Sequence, residues 1–393
     1  MAPAELAPRR AWQRGPERRA QLAMVAARQF CRLGFHQVSM ADVATAVGLT
    51  APAIYRHYRS KDDLLAAAIG SGLDLVCAAL ADVAEASAAD FLTTAAGVAI
   101  VRRDLWILLQ RELRHLSPEQ RQPLEERFEA EIARPFRALV RRGRPDLPAR
   151  DAGLVATAIL ATLASPSVYR NHRSVREQQR VLAAAARAAC QARWDPAAGP
   201  AAASGPPPPA PPADRGAEVL DTAIRLFAAR GYQAVSLDDI GAELGLAGPS
   251  LYYYYATKAD ILVAALTRAA EWLAVQRGGA ASLDDLVAGY TGLALRERLL
   301  FAVYVAEAVS LPPEAARRIK AGLDADVQAW CAALGELRPG LTGAQRLALV
   351  HAARAVVHDV VRIGSWHDRP DLTAALGALV TAVLTAPLER PGP

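Results

Sequence analysis

Residues 34–65 read GFHQVSMADVATAVGLTAPAIYRHYRSKDDLL, and residues 231–262 read GYQAVSLDDIGAELGLAGPSLYYYYATKADIL. The two stretches align without a gap at a constant offset of 197. Gly34 falls on Gly231, Ser39 on Ser236, Asp42 on Asp239, Gly48 on Gly245 and Pro52 on Pro249. Tyr55, Tyr58 and Lys61 fall on Tyr252, Tyr255 and Lys258. A repeat this long is not a solenoid unit. It is a domain fused to a diverged copy of itself, an arrangement by which one chain imitates a dimer.

Each copy predicts three short helices and the start of a fourth. Leu22, Ala23, Ala26, Ala27 and Phe30 recur at helical spacing over Glu17 to Leu33, and Gly34 stands where a C′ glycine stops a helix. Ser39 with Asp42, and Ser236 with Asp239, spell a capping box at the start of the second helix. Gly48-Leu49 is the tight turn between two steeply crossing helices. Thr50 is the expected N-cap of the third, with Pro52 in its first turn. Ser60 with Asp63, and Thr257 with Asp260, predict a further capping box opening a long helix that carries Lys61 or Lys258 in its first turn.

The duplication runs on more faintly. Leu116-Ser117-Pro118-Glu119 resembles Leu311-Pro312-Pro313-Glu314 at offset 195, and Arg144-Pro145-Asp146-Leu147 resembles Arg338-Pro339-Gly340-Leu341 at offset 194. Arg103 and Glu112 fall on Arg298 and Glu307, a recurrence that fits a structural ion pair or a ligand clamp. Between the copies, residues 196–213, PAAGPAAASGPPPPAPPA, can neither bury a core nor form a helix and read as an extended linker. Among 393 residues, 52% are hydrophobic and few are aromatic, a composition that fits helices with ample cores. No uncharged apolar run reaches the ~20 residues of a membrane helix, and the basic N-terminus lacks the apolar stretch of a secretory signal. Cys31, Cys77, Cys190 and Cys331 are dispersed, so no metal site is expected and the thiols read as free in a reducing cytoplasm.

Two short helices joined by a glycine turn make a helix-turn-helix, whose second helix enters the major groove. The full string, with Gly-Leu, Pro, aromatic-x-x-Tyr and Ser/Thr-Lys in register, resembles the N-terminal DNA-binding domain of the TetR family of transcriptional regulators over residues 17–66 and again over 214–263. The resemblance implies an all-α chain of two units, each a DNA-binding domain followed by a helical ligand-binding and dimerisation domain. The expected divisions are 1–66, 67–195, the linker 196–213, 214–263 and 264–393. It further implies double-stranded operator DNA and a small-molecule effector as partners, no cofactor, and a cytoplasmic location. Family members are mostly single-copy homodimers; here the two copies stand in tandem, so a monomer with an internal pseudo-dimer is expected, a homodimer remaining open.

By the same resemblance, Thr50, Ala51, Ala53, Arg56 and His57 face DNA, Tyr55 and Tyr58 are part core and part phosphate-facing, and Lys61 and Ser39 meet phosphates. In the second copy the corresponding set is Ser236, Gly248, Ser250, Tyr252, Tyr253, Tyr254 and Lys258. The copies are not equivalent. Residues 1–66 carry ten Arg and Lys against five Asp and Glu, a net +5; residues 213–263 carry four against seven, a net −3. Affinity for DNA depends on phosphate neutralisation, so the first copy is expected to supply most of the binding. The second either reads a different half-site or is silent.

The Ala- and Leu-rich helices near 150–167 and 174–192, and near 343–363 and 370–386, fit a four-helix interface between the copies. Candidate pocket residues are Trp106, Gln110, His115 and Tyr169 in the first copy, and Tyr290, Tyr304, His351, His358 and Trp366 in the second. The sequence holds no P-loop, GxSxG, HExxH or glycine-rich dinucleotide fingerprint, and an enzyme is not expected. The expectation is a sequence-specific DNA-binding regulator, a repressor released by a small apolar, acyl or lipid-like effector; the alternative is a ligand-binding or interaction scaffold with one or both helix-turn-helix copies degenerate.

Overall fold

The computed structural model describes residues 15–169, 174–195, 215–246, 251–363 and 366–388. These are helices and their connections, without a strand among the described residues. The first copy runs α1 (Gly15–Leu33), α2 (Met40–Ala46), α3 (Ala51–Ile54), α4 (Lys61–Ala81), α5 (Ala88–Val101), α6 (Arg103–Ile107), α7 (Pro118–Phe128), α8 (Arg134–Gly143), α9 (Ala149–Ala164) and α10 (Val175–Gln191). The second runs α11 (Arg215–Arg230), α12 (Leu237–Glu243), α13 (Lys258–Gly279), α14 (Leu283–Arg296), α15 (Arg298–Glu307), α16 (Pro313–Leu337), α17 (Gly343–Arg362) and α18 (Leu372–Leu384). The linker 196–213 lies outside the described residues.

The predicted stops and starts are where the sequence puts them. Gly34 ends α1 at φ +83, its N–H donating to the Phe30 carbonyl at 2.8 Å. Gly48, at φ +72, turns the chain from α2 to α3, a conformation that costs a residue with a Cβ. Ser39, Ser236 and Thr257 close full capping boxes. Ser60 closes only half of one: it accepts from the Asp63 N–H, while the Asp63 carboxylate accepts from Gln120 on α7 at 2.9 Å. By length and composition α4 could cross a membrane, but Leu64, Leu65, Ile69, Leu73 and Val76 are buried core and Asp74 interrupts the exposed side.

The fall of the repeat offset from 195 to 194 has a structural counterpart. α16 is one unbroken helix, whereas its counterpart in the first copy is α7 and α8 joined by a π turn at Glu129–Ala133. A π turn accommodates one extra residue within a continuous helix.

The copies meet through α9, α10, α17 and α18, with α9 against α17 and α10 against both α17 and α18. Ala152, Ala156, Ala183, Ala186, Ala352 and Ala353 are buried there, and small side chains let helix axes approach closely. The edge of this bundle is tied by charge: Arg369 donates to Asp151 of the first copy at 2.6 Å and to Asp371 at 2.6 Å, and the Trp194 indole donates to Asp371 at 3.0 Å. Tyr169 stacks on His351 across the copies, centroids 4.4 Å apart.

The second core holds a polar cluster. Tyr290 and His358 share a hydrogen bond of 2.6 Å, Arg354 lies 4.3 Å over the Tyr290 ring, and its guanidinium pairs with Asp326. The corresponding first-copy positions Ala95, Leu160 and Ala164 are apolar. Burial pushes the His358 imidazole down to about 3 and that of His351 to about 4. A histidine buried neutral takes up its proton only on unfolding, so stability present above the unfolded value near 6.5 is lost as pH falls below it. Urea unfolding should therefore show a loss of about 1.4 kcal/mol per buried histidine between neutral pH and pH ~5.5. His358→Gln should remove one such increment; an unchanged pH slope would locate the acid sensitivity elsewhere.

Candidate nucleic-acid interface

The first recognition element is short because its sequence allows little more. Thr50 has the N-cap backbone but no side-chain cap bond, and after four helical residues the chain continues as a turn closed by His57 N–H to Ile54 C=O at 2.9 Å. Ile54 and Tyr58, four apart, are buried. That leaves Thr50, Ala51, Tyr55 and Arg56 exposed, with Ala53 and His57 half-buried. Tyr58 is a core residue whose hydroxyl donates to the Arg19 carbonyl at 2.9 Å. Arg19 answers from α1: its guanidinium donates to the His57 carbonyl at 2.7 Å and stacks 4.7 Å over the Tyr58 ring. Arg19, Tyr55, Arg56, His57 and Arg59 thus line one cationic groove of about 590 Å³.

Ser39 and Ser236 are exposed at the starts of α2 and α12, with hydroxyls engaged by Asp42 at 2.7 Å and Asp239 at 2.5 Å. Those bonds hold both carboxyls below the usual range. Lys61 points inward: its ammonium donates to the Phe35 and Val38 carbonyls at 2.9 and 3.0 Å, 4.2 Å over the Phe35 ring. Lys258 donates to three carbonyls, of Tyr232 at 2.8 Å, Gln233 at 3.3 Å and Val235 at 2.8 Å. An ammonium has three N–H groups, so Lys258 has none left for a phosphate and Lys61 has one.

In the second copy, Gly248 and Ser250 lie outside the described residues. Leu251 is buried like Ile54, and Tyr255 repeats the Tyr58 bond with its hydroxyl 3.5 Å from the Gly216 carbonyl. Tyr252, Tyr253 and Tyr254 are exposed, Tyr253 to 86%, and the Tyr253 and Tyr254 rings meet edge to face at 5.2 Å.

The residues that join these motifs to the core are ones the repeat marked without explaining. Glu112 and Glu307 do not pair with Arg103 and Arg298. Glu112, buried, accepts from the Phe35 N–H at 3.1 Å and from Arg111 at 2.8 Å. Glu307, equally buried, accepts from the Tyr232 N–H at 2.8 Å. Ala306 stands where the first copy has Arg111, and the cation beside Glu307 is Arg114 of the first copy, at 2.7 Å. Glu112 sits on a second π turn, Leu108–Glu112, which also carries Gln110; the Gln110 amide donates to Asp359 of the second copy at 3.1 Å.

Of the expected pocket residues, Tyr290, Tyr304 and His358 come together around a cavity of about 20 Å³, lined also by Phe301 and Arg354. Trp106 packs edge to face with Phe128 at 6.2 Å, and Trp366 lies against Gly153 of the first copy. His115 belongs to the joint, stacked on Phe35 at 5.4 Å, with its Nδ1 3.3 Å from His36; burial pushes it down to about 3. Among the described residues no group of three His, Cys, Asp or Glu is placed to hold a metal.

Residues 24–68 and 219–265 both match the family profile described as bacterial regulatory proteins, tetR family. A TetR-family transcriptional regulator from Bordetella parapertussis 12822 is 17% identical, with 46% of this chain covering 100% of that one at a TM-score of 0.41. The ketosteroid transcriptional regulator KstR2 of Mycobacterium tuberculosis is 21% identical over 44% of this chain and 93% of its own, at 0.39. The TetR-family regulator PfmR from Thermus thermophilus is 23% identical over 45% and 100%, at 0.38. No curated protein matches.

Glu112→Ala would leave the Phe35 N–H without its acceptor, at a cost of about 1–3 kcal/mol. Hydrogen exchange should show faster opening of residues 34–39 than of the α9 and α10 bundle. Equal protection in variant and parent would mean that Glu112 does not hold this joint.

Proposed function

Because the chain is a tandem TetR-like protein, we propose that it is a sequence-specific DNA-binding transcriptional regulator in which the first helix-turn-helix supplies most of the grip. The supporting observation is the contrast between the two recognition faces. The first presents Thr50, Ala51, Tyr55 and Arg56 beside a groove lined by Arg19 and Arg59. The second presents three tyrosines on an acidic domain whose lysine is spent on its own backbone. Arg56 can donate bidentately to a guanine edge, and Tyr55 and the arginines around it face phosphates.

The regulator is a repressor released by a small apolar effector. The reading rests on the joint: Asp359, next to His358 in the second core, holds Gln110, and Gln110 shares its π turn with Glu112, which holds the loop before α2. A ligand that enlarged the small cavity at Tyr290, Tyr304 and His358 would displace this chain of contacts and with it the first motif. The working state is a monomer containing an internal pseudo-dimer, in the cytoplasm.

Arg56→Ala should weaken operator binding by about 1–3 kcal/mol and relax specificity at one base pair. Tyr253→Ala should cost less, and the reverse order would overturn the ranking. Selection from genomic fragments should return two unlike half-sites, since TAPAIYRHY and AGPSLYYYY cannot be satisfied by one base sequence. Perfect palindromes would point instead to first copies paired from two chains. Light scattering at micromolar concentration should give the mass of one chain; a two-chain species that persists on dilution would remove the pseudo-dimer.

A further inference from the structure

On the outer side of the first copy, where α1 and α4 meet the start of α6, lies an open groove of about 860 Å³. It falls within the range of small-molecule sites, a few hundred to about 1,000 Å³. Its floor is mainly apolar, with Met24, Leu75 and Val101 all well exposed, the last two to 56% and 69%. Three adjoining large apolar side chains left in water are a cost that the second copy avoids at the same place. There Met24 is replaced by Asp221, Ser71 by Arg268, Leu75 by Trp272 and Val101 by Arg296. Arg268 lies across the site, paired with Asp221 at 2.6 Å and stacked 4.9 Å over Trp272. Ser71 is too short to do this, so the first copy has the floor without the plug.

The rim selects what covers it. Arg102 is held by Asp104 through two bonds of 3.0 Å. Arg28 and Arg103 remain exposed against Glu17 alone, a net positive rim over an apolar floor. We propose that this groove binds a fatty carboxylate, its alkyl chain on Met24, Leu75 and Val101 and its head at Arg28 and Arg103. Because the floor is shared between α1 of the first motif and the residues leading into α6, an occupant would bridge the DNA-binding unit and the core. The site is separate from the effector cavity of the second copy, and its failure would leave the DNA-binding reading untouched.

The test is titration calorimetry on the full chain with dodecanoate below its micelle concentration, against dodecyltrimethylammonium as the cationic control. The parent should bind dodecanoate saturably and the cation at least about tenfold more weakly. Met24→Asp with Ser71→Arg installs the second copy's plug and should weaken dodecanoate by about tenfold or more. Should that variant fail to fold, Leu75→Gln with Val101→Gln, at positions already in water, should weaken it likewise. Unchanged affinity in the variants, equal binding of the cation, or no saturable heat would overturn the proposal. So would a concentration-dependent dimer abolished by the plug, which would mean that a second copy of the chain covers the groove.

Discussion

The arrangement of both DNA-binding units depends on how one loop is held. Between α1 and α2 the chain passes through Gly34 to Val38, and its polar backbone is gripped from two sides. The Lys61 ammonium takes the Phe35 and Val38 carbonyls from within the DNA-binding unit, and the buried Glu112 carboxylate takes the Phe35 N–H from the core. The second copy repeats the device with Lys258 and Glu307 on Tyr232. A carboxylate buried this deeply is tolerated only because it is paired and hydrogen-bonded, and removing a partner is costly. The turn carrying Glu112 is thus tied directly to the loop before α2, with its charge matched by Arg111.

The duplication has let the two joints diverge. Glu112 takes its cation from the adjacent Arg111, whereas Glu307 takes one from Arg114 of the other copy. In a homodimer every such contact occurs twice about a twofold axis. Here Val309 occupies the place of Arg114 in the second copy, so the cross-copy pair exists once and runs in one direction. Gln110 with Asp359 is likewise a single contact, since Val305 and Ser165 stand at the corresponding positions.

Much of this was legible in the sequence because it is written locally. Ser39-x-x-Asp42, Gly48 and the helical spacing from Leu22 to Phe30 specify caps, a turn and a buried face within a few residues of one another, and each formed. The helices of the interface were legible from their small-residue content. What was not legible depends on partners far along the chain. The Lys61 position reads as a phosphate contact from its helix start, yet its ammonium is committed to carbonyls 23 and 26 residues earlier. Glu112 and Arg103 recur together, which invites a pair; the structure separates them, with Glu112 turned into the joint and Arg103 at the outer groove. The capping box at Ser60 was half right because a glutamine of α7 captured the carboxylate. Recurrence shows that a residue matters in both copies without saying what it touches.

The divergence of the copies has a common direction. The first has the cationic recognition face and apolar Ala95, Leu160 and Ala164 in its core; the second has fewer basic residues at its motif and Tyr290, Arg354, Asp326 and His358 inside. In a symmetric dimer neither change could be made alone, because a substitution that suits the core would appear in both subunits along with its burial cost. Covalent tandem duplication removes that constraint. It lets the buried Arg354–Asp326 pair stand in one core alone and the cationic surface in the other motif. Single contacts such as Gln110 with Asp359 and Arg114 with Glu307 then tie the joints of the two specialised halves together beside the bundle that packs them.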